Sequence, residues 1–150
     1  MIGAVLLLAL LSAHSLALGR LWWGDLAPDP MVLVIAGLAL QGQRRVLLPG
    51  AVVAGWLRAL VLLEPAGGQV LGAWAAIFLV ASLREHLGAR SLLTASVLAA
   101  GTWAGVTLLL SAITGSGHVG LSSLFLGAGL AIPFSLVGAL RRRRRELSAA

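Results

Sequence analysis

Three charged side chains stand where they could do chemistry or bind a partner: Arg58, Glu64 and Asp29. The chain has 150 residues, of which only 5 are acidic and 11 are Lys or Arg. Arg58 lies within a long apolar stretch, where a charge that faces lipid costs about 2.5 kcal/mol or more. We therefore expect Arg58 to reach the outer headgroups, to pair with a carboxylate or to contact another membrane protein.

The spacing of the carboxylates decides which of them can pair with Arg58. Glu64 follows Arg58 by six positions, which on a continuous helix places it about 9 Å along the axis and about 240° around it. The two side chains would then lie on different faces, so we do not expect an intrahelical pair. Asp25 or Asp29, in the preceding connection, is the better candidate.

No catalytic, cofactor-binding or metal-binding constellation is found in the sequence. There is no cysteine, and His14 has no companion at ligand spacing. No carboxylate pair, no nucleophile beside a base and no phosphate-binding loop occurs. We predict that the protein is not an enzyme.

The composition predicts a protein that spans a membrane as helices. Hydrophobic residues make up 59% of the chain and charged residues 11%, whereas a soluble domain is about a quarter charged. In lipid, only helices or closed barrels satisfy the backbone. Barrel strands alternate apolar and polar residues, and runs such as 5–11 do not. The predicted fold is an all-α integral membrane protein.

About six transmembrane helices are predicted, and they should form a compact bundle. A full crossing needs about 20 residues, so the second apolar segment is short and the fourth is marginal. Asp29 is a suitable N-cap for the second helix, and Pro30 suits its first position. The predicted helices lie near residues 2–19, 30–44, 46–63, 68–83, 91–114 and 121–140.

Basic residues alternate from one connection to the next, which predicts that both termini are cytoplasmic. The turn at 41–45 and the tail at 141–150 carry the residues expected to anchor the chain to cytoplasmic lipid headgroups. Because five of the eleven basic residues form one run beside the last apolar segment, nucleic acid is not an expected partner. The lipid-anchoring residues are Arg44, Arg45, Arg141, Arg142, Arg143, Arg144 and Arg145.

Small residues one turn apart predict close helix packing. Gly101 and Gly105 form a GxxxG motif in the fifth helix, for which we favour packing inside the bundle over contact with a partner protein. The pairs Ala51 with Gly55 and Gly72 with Ala76 repeat the pattern. Pro133 should break the sixth helix, because proline removes a backbone hydrogen bond.

This layout resembles the rod-shape-determining protein MreD family. The resemblance lies in Pro28-Asp29 before the second helix, the basic turn at 42–45, the stretch from Gly50 to Arg58 followed by Leu71-Gly72, and Pro133 ahead of a basic tail. It covers nearly the whole chain. The family commonly has an Asp in the third helix where Arg58 or Ala59 stands here.

The resemblance implies a non-catalytic scaffold of the bacterial inner membrane that takes part in cell-wall elongation. It implies as partners an MreC-like protein, the RodA and penicillin-binding-protein synthases, and the cytoplasmic MreB filament. It also implies a fold similar to the substrate-binding subunits of energy-coupling-factor vitamin transporters. The alternative function is therefore vitamin binding in an outer pocket, for which the sequence offers few polar groups: Trp56, Arg58, Glu64, Gln69 and His118.

Overall fold

A computed structural model describes residues 2–41, 44–87, 91–115 and 121–137, and every element within these ranges is helical. There are six α-helices, as the sequence predicted, and a single 3-10 turn, Gly24–Leu26, follows the first of them. The helices are α1 (Ile2–Trp23), α2 (Met31–Gln41), α3 (Arg44–Leu62), α4 (Ala66–Leu87), α5 (Leu92–Thr114) and α6 (Leu121–Gly129).

Three of the helical segments are long and apolar enough to cross a membrane: Gly3–Leu26, Ala66–Leu83 and Leu92–Thr114. The other apolar segments, Met31–Gln41, Val46–Leu62 and Leu121–Val137, are shorter. The fourth helix, expected to be marginal, is thus among the long ones. These lengths and compositions indicate a membrane protein.

The short helix α2 lies at the centre of the bundle and contacts each of the other five helices. Its sequence is apolar on all sides, which is the pattern of a helix that packs on all sides. Six of its eleven residues are buried. By contrast, α1 lies at the edge, where a narrow stripe that includes Ala9, Ala13 and Leu16 is buried and most other side chains are exposed.

Small residues set the distances between helices, as predicted for two of the three small-residue pairs. Ala51 and Ala76 are fully buried, and the glycines that accompany them lie against a neighbouring helix. A Cβ atom at Gly55 would lie 2.6 Å from the Cα of Val70 in α4, and one at Gly72 would overlap the indole of Trp103 in α5.

The third pair, Gly101 and Gly105, does not pack inside the bundle, so that interpretation was wrong. Both glycines are exposed, and a Cβ atom at either would meet nothing within 4 Å. The buried face of α5 is instead formed by residues such as Ala99, Ala100 and Trp103. The GxxxG motif therefore leaves an open groove on the outer surface of α5.

Pro133 interrupts the sixth helix as expected. The helix ends at Gly129, Leu130 forms a turn whose N–H donates to the Gly127 carbonyl, and helical structure resumes at Ala131. The interruption falls where proline acts, because its ring crowds the carbonyl four residues earlier and its nitrogen cannot donate to it.

The glycine contacts lead to a stability prediction. Gly55→Ala should lower the free energy of unfolding by about 1–3 kcal/mol, because the added methyl group must push α3 away from the α4 backbone. Gly101→Ala is the matched control and should be neutral or slightly stabilising, since its methyl group enters open space and alanine favours helix. Thermal unfolding in detergent, followed by circular dichroism, would measure both. Equal effects of the two substitutions would contradict the packing described.

Candidate functional site

Arg58 lies in α3 with no solvent-exposed surface, and it is one of the largest fully buried side chains in the described structure. Its guanidinium therefore does not reach headgroups from this bundle, and it does not face lipid. A charge held in this way needs partners of its own within the protein. They come from α4, α5 and α6, together with the residues that precede α2 and α4.

The main partner is Asp29, which was one of the two carboxylates expected from the sequence. The Arg58 Nε donates to Asp29 Oδ2 at 2.6 Å, and both side chains are fully buried. The other carboxylate oxygen accepts the backbone N–H of Met31 at 2.9 Å. Asp29 is thus the N-cap of α2, as predicted, and one carboxylate both begins the central helix and neutralises the arginine.

Glu64 also pairs with Arg58, so the expectation that it would not was wrong. The Glu64 Oε2 lies 3.3 Å from Arg58 Nη1. The helix ends at Leu62, Leu63 adopts a left-handed conformation with φ of 56°, and the Glu64 N–H donates to the Ala59 carbonyl. This Schellman ending reverses the chain. It carries Glu64 back toward Arg58, whereas a continuous helix would have placed it on another face.

Gln69, Trp103 and Ser123 complete what we call the Arg58 cluster, together with Arg58, Asp29 and Glu64. The Gln69 Oε1 accepts hydrogen bonds from Arg58 Nη1 and, at 3.0 Å, from Trp103 Nε1, while its Nε2 donates to Glu64. The Arg58 Nη2 donates to Ser123 Oγ at 3.2 Å. The Trp103 ring centre lies 5.3 Å from the guanidinium carbon, within cation–π range.

The sequence did not indicate that Trp103 or Ser123 belongs to this cluster. The sequence indicates Gln69 only as one of the polar groups available to line an outer pocket. Trp103 sits between the two glycines of the GxxxG motif, and it is the aromatic side chain, on the opposite face, that turns inward. Ser123 looks like an ordinary helix-start serine. Neither residue has a spacing that points to Arg58, because the contacts depend on how α5 and α6 pack.

The charged and polar side chains of the Arg58 cluster are paired with one another. In the ranges that the structure describes, no buried side-chain nitrogen or oxygen atom lacks a hydrogen-bond partner. Burial raises the pKa of the Asp29 carboxyl above its ordinary value, and the Arg58 charge acts in the opposite direction. The Arg58 charge thus offsets part of the cost of burying the Asp29 carboxyl, and the two charges stabilise each other.

A shallow cleft lies beside the cluster, lined by Arg20, Gly24, Asp25, Leu62 and Ser123, and it encloses about 0 Å³ of space for a water-sized sphere. Arg20 and Asp25 form a more exposed ion pair across 2.5 Å, and the Ser122 hydroxyl donates to the Asp25 carbonyl at 2.6 Å. Sites for small organic ligands usually measure about 300–1,000 Å³. This cleft is too small for such a ligand in the conformation described.

The remaining predicted residues lie apart from the cluster. Arg44 and Arg45 begin α3, Pro133 lies in the last described segment, and Gly101 and Gly105 face outward. No group of three His, Asp or Glu side chains that could hold a metal ion occurs among the described residues. Two parts of the predicted set, His118 and the tail from Arg141 to Arg145, lie outside the described residues.

A double-mutant cycle would test the ion pair. Arg58→Leu should lower the free energy of unfolding by about 3–5 kcal/mol, because it leaves the buried Asp29 carboxylate without its charged partner. Asp29→Asn should cost less, since the amide can still cap α2 and Glu64 remains beside Arg58. The double variant should cost less than the sum by at least about 1 kcal/mol. Chemical or thermal unfolding in detergent would measure all three.

Arg20→Leu is the matched control for this cycle. It removes an arginine from an ion pair of similar length that is partly open to solvent, so it should cost about 1 kcal/mol or less. If Arg58→Leu were as mild as Arg20→Leu, the buried pair would not be the central interaction of the bundle.

The Schellman ending allows a stabilising substitution. Leu63→Gly should raise the free energy of unfolding by about 1 kcal/mol, since glycine adopts the left-handed conformation without the strain of a Cβ atom. Leu63 is 92% exposed, so little packing is lost in the protein itself. The control is Leu60→Gly, an exposed position in the helical part of α3, which should instead be destabilising by about 1 kcal/mol. Loss of stability in Leu63→Gly would contradict the strained turn.

Comparison with known proteins found no relative of this chain. No protein-family model matches the chain, and no curated protein or solved structure matches it either. The role of the Arg58 cluster therefore follows from its own contacts, burial and charge. The contacts, burial and charge indicate that the Arg58 cluster has a structural role and holds five helices of an apolar bundle together.

Proposed function

We propose that this protein is a non-catalytic scaffold of the bacterial inner membrane, of the MreD type, in the machinery that elongates the cell wall. The observation that carries the proposal is the closed Arg58 cluster. The charged groups of the bundle interior pair with one another in this cluster. Their contacts hold α2 to α6 in fixed positions. A bundle held in this way offers its partners helix surfaces of constant shape.

The outer surface supports a role in binding other membrane proteins. Large apolar side chains are exposed on every helix except the central α2, and on α5 the glycines 101 and 105 leave an open groove between them. Two glycines one turn apart let another helix approach closely, so that dispersion and Cα–H contacts hold the pair. The GxxxG face of α5 is therefore the surface that we assign to a transmembrane helix of a partner.

The partners follow from the resemblance to the MreD family. They are an MreC-like protein and the RodA and penicillin-binding-protein synthases within the membrane, and the MreB filament on the cytoplasmic side. With both termini in the cytoplasm, the turn at 41–45 and the basic tail face the filament. Their arginines also attract anionic lipid headgroups, which keeps the bundle at a fixed depth.

Vitamin binding in an energy-coupling-factor transporter is the alternative. Of the polar groups that would have lined an outer pocket, Arg58, Glu64 and Gln69 hydrogen-bond to one another instead. Trp56 is exposed on the surface of α3. Together with the small volume of the nearby cleft, these contacts favour the scaffold.

Affinity capture from the native host in mild detergent tests the proposal. The wild-type chain should recover the MreC-like protein or the RodA synthase, and depletion should make rod-shaped cells round. Gly101→Leu combined with Gly105→Leu should reduce partner recovery at least severalfold, because the leucines fill the groove while the rest of the bundle is untouched. Gly67→Leu is the control, since it adds a leucine at another exposed glycine with open space around it.

Two outcomes would contradict the proposal. Recovery of a pair of ATPases together with a bound vitamin would favour the transporter subunit. Partner recovery that is unchanged by the double leucine substitution would contradict the assignment of the GxxxG face of α5 as the partner-binding surface.

A further inference from the structure

Helix α1 carries a second outward stripe, which follows a seven-residue repeat. Positions 4, 7, 11, 14, 18 and 21 alternate steps of three and four residues, as the contact positions of a coiled coil do. All six residues are exposed. The stripe consists of Ala4, Leu7, Leu11, His14, Leu18 and Leu21.

The stripe lies opposite the face of α1 that packs on its own bundle. At about 100° per residue, its centre is about 165° around the helix from the mean direction of Ala9, Ala13 and Leu16. Those three residues are buried, whereas the leucines of the stripe are 46–81% exposed. Another helix can therefore lie along this stripe without displacing α2 or α3, against which α1 packs.

His14 makes this stripe different from an ordinary lipid-facing surface. It is exposed, and it is the twelfth residue of the 24-residue apolar segment Gly3–Leu26. If the segment spans the membrane, the imidazole lies at the midplane, where a polar side chain is costly unless it has a partner. A neutral imidazole carries one N–H donor and one bare nitrogen acceptor.

We propose that the stripe of α1 binds the same stripe of a second copy, with the two His14 side chains hydrogen-bonded to each other. Two copies in one membrane share the same orientation, so a symmetric pair of α1 helices is parallel and brings equal depths together. His14 then meets His14, and the donor of one imidazole faces the acceptor of the other. The repeat matches itself in the same way, Leu against Leu on both sides of the histidine.

A partner of different sequence would have to supply a polar side chain at the same depth, whereas a second copy supplies it by symmetry. This argument uses α1 alone. It does not depend on the proposed scaffold function, and it uses a different helix from the GxxxG face of α5.

Cysteine cross-linking in membranes tests the inference, and the chain has no cysteine of its own to interfere. Leu11→Cys and Leu18→Cys, in the full chain with His14 retained, should form disulfide-linked homodimers on mild oxidation. Leu8→Cys and Phe78→Cys are the controls. Both are exposed, but Leu8 lies about 90° from the centre line of the stripe and Phe78 is on α4, so both should stay largely monomeric.

The contribution of the histidine is measured in the Leu11→Cys background. His14→Leu should reduce dimer formation about three- to tenfold when the protein is dilute in lipid, because the polar pair is lost. His14→Asn should retain most of it, since an amide also donates and accepts. All these positions are exposed, and an unchanged unfolding temperature of each variant would show that the bundle is intact.

Each contrary result overturns the inference. Cross-linking of Leu8→Cys as efficient as that of Leu11→Cys would mean random collision. A cross-link to another protein with no homodimer would mean that the stripe binds a different chain. Equal dimer formation by the His14→Leu and wild-type histidine chains would mean that the imidazole pair has no part in the contact.

Discussion

A guanidinium buried among apolar helices is the constraint on which the rest of this bundle depends. The charge of Arg58 must be met by carboxylates and hydrogen-bond acceptors within the protein, because an isolated ion in such a medium is far too costly. The acceptors come from residues that are distant in sequence, with Ser123 separated from Arg58 by 65 positions. The helices that carry them must therefore occupy one arrangement, and an alternative packing would leave a buried charge unpaired.

Glycines make this arrangement possible. The Trp103 indole reaches both Arg58 and Gln69 because Gly72 leaves room for it, and the backbone of Asp29 lies directly against Gly127. One turn earlier on the same face of α6 lies Ser123, whose carbonyl accepts the N–H of Asp29 and whose hydroxyl accepts from Arg58. Close backbone contact and charge pairing thus occur at the same place, and each keeps the other in position.

Much of this fold could be predicted from the sequence, because it follows from local patterns. Apolar length indicates the six helices, and Asp29 followed by Pro30 marks the start of the second. A charged Arg58 in an apolar stretch requires a carboxylate partner, and Asp29 is that partner. The position of Glu64 could not be predicted, since its contact depends on one leucine adopting a left-handed conformation that usually favours glycine.

The direction of the GxxxG motif could not be predicted either, because nothing in the spacing of two glycines says which face of a helix is inward. Trp103 decides it. An indole placed between the two glycines and drawn to the Arg58 cluster turns α5 so that both glycines face outward. The Arg58 cluster at the centre of the bundle therefore also determines which glycines of α5 are exposed on its surface.

The two outward faces lie on different sides of the bundle. Helix α1 packs on α2 and α3, whereas α5 packs on α2, α4 and α6. A second copy bound along α1 therefore leaves the groove of α5 open to a partner helix. The closed charge cluster between them connects the two faces, since Arg58 is on α3 and Trp103 on α5, and a shift of either helix would strain the same set of hydrogen bonds. A bundle built in this way can hold two neighbours at once in a constant relative orientation, which is the physical requirement for a scaffold.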